Sequence, residues 1–128
     1  MDQIANMANM IKNASSRGHE SVSVPHSKMK EAILECLKKE GFISSFEKKT
    51  QKGFPVLEIK LAYVDGKPKV RETRRISKLS KRVYMGVSDI RPVKNGRGLL
   101  VLSTPKGILS GKEARKENVG GEVILSIA

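Results

Sequence analysis

The sequence predicts an α+β protein of two small domains, an N-terminal α-β-α-β-β unit and a mainly β C-terminal domain with a short helix. Apolar residues recur at helical spacing in two early segments and at strand spacing in later ones. The turn-rich segment 65–68 separates the two patterns. Net charge also changes there: residues 1–64 carry 10 basic and 7 acidic groups, a net of +3, whereas residues 65–128 carry 15 and 6, a net of +9. We therefore expect domains at 1–64 and 65–128.

Two amphipathic helices are predicted in the N-terminal half. The first covers residues 3–14, and a short strand over residues 21–24 follows it. The second covers residues 28–40, because Ser27 is a favourable N-cap and Gly41 stands where a helix commonly ends. Its predicted buried stripe consists of Met29, Ile33, Cys36 and Leu37.

Strands dominate the rest of the sequence. Two of them, at 42–50 and 56–63, are joined by a turn at 52–55 and complete the first domain. The second domain has shorter apolar runs between turn signals, which indicates a mainly β structure. The segments predicted there are strands at 70–76, 82–85, 99–102 and 123–127, and a helix at 112–117.

The residues that carry enzyme chemistry are sparse. One cysteine and two histidines provide no cluster of metal ligands, and the carboxylates are too scattered for paired acid–base catalysis. Cys36 lies on the apolar stripe and is expected to be a small buried hydrophobe, whereas His19 and His26 are expected to be solvated surface groups. No phosphate-binding loop or serine elbow motif is present. We expect no enzyme, no metal, no cofactor and no small-molecule substrate.

The net charge of +12 implies a polyanionic partner, because such an excess repels itself in the folded state. Nucleic acid is the usual partner, and a membrane surface is the alternative. No apolar run approaches the ~18–20 residues of a membrane span. Nucleic acid is the partner we expect, and we expect no membrane partner. Guanidinium groups bind phosphate well, and seven of the eight arginines lie in the second half: Arg71, Arg74, Arg75, Arg82, Arg91, Arg97 and Arg115.

The segment 103–107 has the composition of an RNA-binding loop. The hydroxyl groups of Ser103 and Thr104 suit base edges and 2′-hydroxyl groups. Lys106 supplies a cation for phosphate, and Gly107 permits a close approach of backbone. An ordinary β-turn is the alternative that composition alone leaves open.

Three further features have two interpretations each. Gly120 and Gly121 either end the short helix or let an RNA backbone come close, and a functional Glu122 needs a specific donor, since a carboxylate facing a polyanion is unfavourable. The basic stretch 71–78 either contacts phosphates or is a solvated strand face. Tyr84 either stacks on a base or lies half-buried in a sheet.

Motifs along nearly the whole chain resemble one known family. In order and spacing they follow the signature of the bacterial-type small-subunit ribosomal protein number eight family. The motifs include Val22-Ser23-Val24-Pro25-His26-Ser27-Lys28, Arg75-Ile76-Ser77-Lys78, Ser103-Thr104-x-Lys106-Gly107 and Val119-Gly120-Gly121-Glu122-Val123. Each motif alone is weak, but the ordered series is specific.

The resemblance implies a structural constituent of the small ribosomal subunit, with an α/β N-terminal domain and a mainly β C-terminal one. It implies primary binding to the central domain of 16S rRNA, a part in assembling the subunit platform, and contacts with neighbouring small-subunit ribosomal proteins. Some members also repress their own operon by binding its mRNA. We expect a monomer when free, located in cytoplasmic ribosomes if bacterial and in organellar ribosomes if plastid-encoded.

The resemblance also implies direct RNA contact by Ser103, Thr104 and Glu122. Pro105 stands where the family usually has Ser, which removes one expected hydrogen bond. Neighbours of this site are expected at Pro105, Lys106, Gly107, Gly121 and Tyr84, with phosphate contacts from Arg75, Lys78 and Arg82. The alternatives are an RNA chaperone outside the ribosome and, more remotely, a small nuclease.

Overall fold

The computed structural model describes residues 3–78, 80–90 and 98–128. These residues form two compact units, Gln3–Arg71 and Glu72–Ala128. The first combines helices with strands, and the second is mostly β with one short helix, so the predicted α+β class is confirmed. None of the helices in these described ranges has the length and apolar character needed to cross a bilayer.

The first unit has the predicted order α-β-α-β-β. Its elements are α1 (Gln3–Ser16), β1 (Ser21–Pro25), α2 (Lys28–Lys39), β2 (Ile43–Gln51) and β3 (Phe54–Leu61). Strand β3 is central and pairs antiparallel with β1 on one side and with β2 on the other. The turn between β2 and β3 was predicted at 52–55 but contains only Lys52 and Gly53, both with positive φ. Phe54 and Pro55 already pair with β2 as residues of β3.

A hairpin follows these elements, and it keeps the turn-rich segment inside the first unit. Its strands are β4 (Tyr63–Val64) and β5 (Lys67–Pro68), joined by Asp65 and Gly66, which both have positive φ. Contacts therefore divide the chain between Arg71 and Glu72, C-terminal to the expected limit at 64/65. The domain limits at 64/65 stay a prediction.

Helix α2 begins and ends at the residues that the sequence indicated. The Ser27 side chain accepts a hydrogen bond from the Lys30 backbone N–H at 3.1 Å, which satisfies one of the free donors of the first turn. At the other end Gly41 has a φ of +80°, and its N–H donates to the Lys38 carbonyl. Local capping chemistry thus fixes both limits of this helix.

Two side chains near α2 differ from the sequence predictions. Met29 was expected in the buried stripe but is 41% exposed, while Lys30 is buried because its ammonium donates to the Pro25 carbonyl at 3.1 Å. His26 was expected to be a solvated surface group. Its side chain is only 16% exposed and lies 2.9 Å from the Glu31 carboxylate, so that prediction was wrong. Cys36 is buried, as predicted.

The second unit is built around one antiparallel sheet. Its elements are β6 (Thr73–Arg75), β7 (Tyr84–Met85), a 3-10 turn (Val87–Asp89), β8 (Leu99–Thr104), β9 (Gly107–Ser110), α3 (Gly111–Lys116) and β10 (Gly121–Ile127). The strand order is β6-β10-β8-β9, and β7 also pairs with β10. The sequence analysis missed β9 and placed the start of β10 two residues too late. Each of the strands expected at 70–76 and 82–85 is shorter than predicted.

One face of this sheet carries α3. Leu100 and Leu102 of β8 and Val123 of β10 form a buried cluster with Ala114 of α3. We call this side of the sheet the α3 face. Side chains alternate along a strand, so Val101 and Ser103 of β8 lie on the opposite side, which we call the Glu122 face.

Strand β10 contains an irregularity that matters for the site. Val123 pairs with Leu102, but the next paired residue is Leu125, opposite Val101. Ile124 is therefore an extra residue, as in a β-bulge. The bulge changes which face the remaining residues of β10 occupy.

Candidate nucleic-acid interface

Three of the predicted site residues lie side by side across three strands. Glu122 of β10 pairs directly with Ser103 of β8 on one side and with Tyr84 of β7 on the other. Directly paired residues of antiparallel strands share a face, with Cβ atoms roughly 5 Å apart. Tyr84 is 70% exposed, which excludes the half-buried alternative and leaves its ring open to a partner. We call these three residues the Glu122 row.

The Glu122 carboxylate is held by two partners from a distant part of the chain. The Ser77 hydroxyl donates to Glu122 Oε2 at 2.5 Å, and Arg82 Nη1 donates to the same oxygen at 2.9 Å. The sequence analysis required a specific donor for this carboxylate but did not identify either one. The Glu122 side chain is still 20% exposed. Its oxygens are therefore accessible to a ligand from solvent, although Ser77 and Arg82 fix their orientation.

These contacts favour the charged form of Glu122. The hydrogen bond from Ser77 is the largest cause, and with Arg82 and the nearby charge of Arg75 it outweighs desolvation and holds the pKa of Glu122 below 4.5. The hydrogen bond to Glu122 also raises the pKa of Arg82. The carboxylate is therefore ionised at neutral pH, which makes it a strong hydrogen-bond acceptor.

The two glycines before Glu122 serve the protein's own backbone. A Cβ atom on Gly121 would lie 2.1 Å from the Ser103 carbonyl oxygen, and one on Gly120 would lie 2.3 Å from that of Met85. Neither glycine ends the short helix, because Asn118 already adopts a positive φ after α3. The glycines let β7 and β8 approach β10 closely, and this approach aligns the Glu122 row.

The predicted hydroxyl loop is partly strand. Ser103 and Thr104 are the last residues of β8, and only Pro105 and Lys106 form the turn to β9. Pro105 occupies the first central position of this turn, where its fixed φ is favourable. Gly107 has a φ of +112°, a conformation that favours glycine. The backbone of the turn therefore explains a glycine at this position without any contact to RNA.

The Thr104 side chain closes the turn. Its hydroxyl donates to the Gly107 carbonyl at 2.8 Å and accepts from the Lys106 N–H at 3.1 Å. A hydroxyl has one proton and two lone pairs, so a single lone pair remains to accept from a ligand. Lys106 Nζ lies 3.2 Å from the Glu117 carboxylate in an exposed pair, which a phosphate can displace at little cost.

The predicted phosphate contacts do not all share one surface. Arg82 donates to the Glu122 carboxylate, and Arg75 Nη1 donates to the Ile124 carbonyl at 2.6 Å. Lys78 differs, because strand alternation from Arg75 and Ser77 directs it to the α3 face. Sequence reasoning overlooked the role of Ser77, although its place inside the motif Arg75-Ile76-Ser77-Lys78 was a usable signal. Arg91 and Arg97 lie outside the described residues.

Over residues 3–78, 80–90 and 98–128, His, Cys, Asp and Glu form no group of three or more suited to a metal ion. The Glu122 row instead combines an exposed ring, an ionised acceptor and a hydroxyl beside arginine, in a chain with a net charge of +12. Such a combination is typical of a protein that binds RNA.

Comparison with known proteins identifies the family. The family model described as ribosomal protein S8 matches residues 2–127. The chain is 46% identical to small ribosomal subunit protein uS8 of Ruegeria pomeroyi, over 98% of both chains. It is 43% identical to the uS8 protein of Caulobacter vibrioides, over 98% of this chain and 96% of that one.

The chain belongs to the ribosomal protein S8 family, which confirms the resemblance found in the sequence. It is a structural, RNA-binding component of the small ribosomal subunit that serves translation, and not an enzyme.

Stability should depend on the charge of Glu122. A group whose pKa is depressed in the folded state stabilises above its unfolded pKa, and that contribution is lost as pH falls through the folded pKa. We expect Glu122→Gln to lower the free energy of unfolding by about 1–2 kcal/mol at pH 7, at or below the low end for a hydrogen bond to a charged group, because solvent partly screens this carboxylate. The loss should shrink progressively below pH 4.5.

Urea unfolding at pH 7 and at pH 3.5 measures this difference. Glu35→Gln, an exposed change on α2, is the matched control and should have little effect at either pH. An equal loss for Glu122→Gln at both pH values would contradict the electrostatic explanation.

Gly121→Ala should be destabilising because its Cβ would meet backbone that cannot move aside easily. We expect a loss of about 1–3 kcal/mol in urea unfolding, the cost of overpacking. Gly86→Ala is the control, since its Cβ would be 3.7 Å from its nearest neighbour, the Asp89 carboxylate. Equal stabilities of the two variants would show that β8 and β10 are less tightly apposed than described.

Proposed function

We propose that this chain is a primary rRNA-binding protein that binds the central domain of 16S rRNA and helps to assemble the platform of the small subunit. The Glu122 row and the adjoining β8–β9 turn form the main RNA contact. The observation that carries this proposal is the alignment of Tyr84, Glu122 and Ser103 in one row. Hydrogen bonds from Ser77 and Arg82 hold the Glu122 carboxylate in a fixed orientation.

The Glu122 row suits an RNA site with unpaired or distorted bases. An ionised carboxylate accepts hydrogen bonds from base amino groups and 2′-hydroxyls. It repels phosphate groups, so an RNA that presents only its phosphates at this position is disfavoured. The exposed ring of Tyr84 offers a surface on which one base or sugar can stack. The row therefore favours a folded RNA in which such groups are presented together, and it disfavours a regular duplex.

Phosphate contacts supply affinity around this selective centre. Arg82 and Arg75 flank Glu122, while Lys106 stands at the turn beside Ser103. Each phosphate neutralised by such a group releases condensed counterions, which makes binding depend strongly on salt. Cations thus hold the RNA, and the row determines which RNA is held.

Further roles follow from the same surface. An operon mRNA that folds into the same shape as the rRNA site would bind there, and the protein would then repress its own translation. Because the relatives compared above come from bacteria, we place the protein in bacterial cytoplasmic ribosomes, as a monomer before assembly and next to other small-subunit proteins afterwards.

Footprinting and filter binding on a central-domain rRNA fragment test the proposal. The full chain should protect one internal loop, and its affinity should fall by roughly 10³-fold or more between 50 and 200 mM salt if about six phosphates are contacted. Unrelated structured RNA is the competitor. Equal competition by that RNA would contradict specific binding and would instead indicate a general RNA chaperone.

Thr104→Ala should weaken binding to this fragment by roughly 1–3 kcal/mol, because the change removes a polar contact and loosens the turn that presents Ser103 and Lys106. Thr104→Ser keeps the hydroxyl and should retain most of the affinity. Filter binding at fixed salt compares the two variants. An unchanged affinity for Thr104→Ala would remove the β8–β9 turn from the RNA contact.

A further inference from the structure

A cleft of about 520 Å³ opens on the second unit, beside strand β6. Its volume falls within the range of sites that hold small molecules, roughly 300–1,000 Å³. The cleft is wide open to solvent on one side and closed by the sheet on the other. Neither the family match nor the Glu122 row accounts for it.

The floor of the cleft is apolar and firmly held. Leu100 is 8% exposed and belongs to the buried cluster, and Ile76 and Val83 pack partly buried against that cluster. Ser126 adds one small polar side chain to the floor. An apolar surface of this kind suits a ring system better than it suits a hydrated ion.

The rim of the cleft is cationic. Arg74, Arg75, Lys78 and Lys81 all line it, and the carboxylate of Glu72 lies 3.8 Å from Arg74. Lys78 and Lys81 pair directly through two backbone hydrogen bonds of 2.8 and 3.1 Å. Like charges in directly opposed positions destabilise a β-pair, and an anion bound between them removes that penalty.

The cleft and the Glu122 row lie on opposite faces of the sheet. Ser126 pairs with Arg74 on one side and with Leu100 on the other, which puts all three on the α3 face. Ser103 and Glu122 lie on the other face. A ligand in the cleft therefore lies on the opposite face from the row, and Arg75, which lines the cleft and stands near Glu122, is shared by the two contacts.

We propose that this cleft holds one unstacked nucleotide of a bound RNA, with the base or ribose on Ile76, Val83 and Leu100 and the phosphate against Lys78 and Lys81. A nucleotide combines an apolar ring face with an adjacent anion, which matches the apolar floor and cationic rim. The inference extends the proposed function, since it assumes that the partner is RNA. It adds a second RNA segment, bound on the α3 face.

Amide chemical shifts of the full-length protein test the cleft directly, with 5′-AMP as the probe. We expect saturable shifts at Ile76, Val83 and Ser126, with an affinity of roughly millimolar. Inorganic phosphate and adenosine are the comparison ligands, and each should bind about tenfold more weakly because each fills half of the site. Equal binding of phosphate and 5′-AMP would overturn the proposal, since it would indicate a simple anion site.

Three variants separate the two halves of the cleft. Lys78→Ala combined with Lys81→Ala should weaken 5′-AMP binding by about tenfold, the scale of one lost charged contact. Ser126→Leu keeps every charge but fills the floor, so it should abolish the preference for 5′-AMP over phosphate. Lys112→Ala combined with Lys116→Ala removes the same charge from exposed positions of α3 and should leave binding unchanged.

The outcomes distinguish this inference from the proposed function. If Ser126→Leu leaves both 5′-AMP and the rRNA fragment bound as before, the nucleotide cleft is refuted while the role of the Glu122 row stands. If 5′-AMP binds as expected but the rRNA fragment competes no better than unrelated RNA, the cleft stands and the specific rRNA function fails. Tighter binding of hexaglutamate than of 5′-AMP would overturn the cleft proposal in favour of an acidic protein partner.

Discussion

One hydrogen-bonded group joins parts of the C-terminal unit that are far apart in sequence. Ser77 Oγ donates to the Glu122 carboxylate across 45 residues, and the same oxygen accepts from the Val83 N–H at 3.0 Å. The Val83 carbonyl in turn accepts from the Val123 N–H. This single hydroxyl therefore fixes the loop that leads into β7, aligns it with β10 and orients the carboxylate. The exposed position of Tyr84 depends on that alignment.

Features set by neighbouring residues could be predicted from the sequence. The order of elements in the first unit and the limits of α2 follow from periodicity and from capping by Ser27 and Gly41. Burial of Lys30 and His26 could not be predicted in this way, because each depends on a specific partner, the Pro25 carbonyl and the Glu31 carboxylate. Strand β9 was missed because it has only four residues and follows a proline turn.

The candidate site shows the same division. The residue types of the local sequence indicated a polar turn at 103–107, and they indicated that Glu122 requires a hydrogen-bond donor. Sequence position alone could not identify Ser77 as that donor, nor show that the space beside Gly121 is occupied by the Ser103 carbonyl. Both facts depend on strand register, which is set by pairing between distant segments. Strand alternation also directs Lys78 to the face opposite Glu122.

The bulge at Ile124 determines how many surfaces β10 can offer. In a regular strand, residues 122 and 126 would point to the same side of the sheet. The extra residue reverses the parity, so Glu122 points one way and Ser126 the other. One strand of seven residues thereby places a partly exposed polar side chain on each face of the sheet. A partner that surrounds this part of the sheet can therefore be contacted from both faces, whereas a strand without the bulge would present both polar side chains on one face.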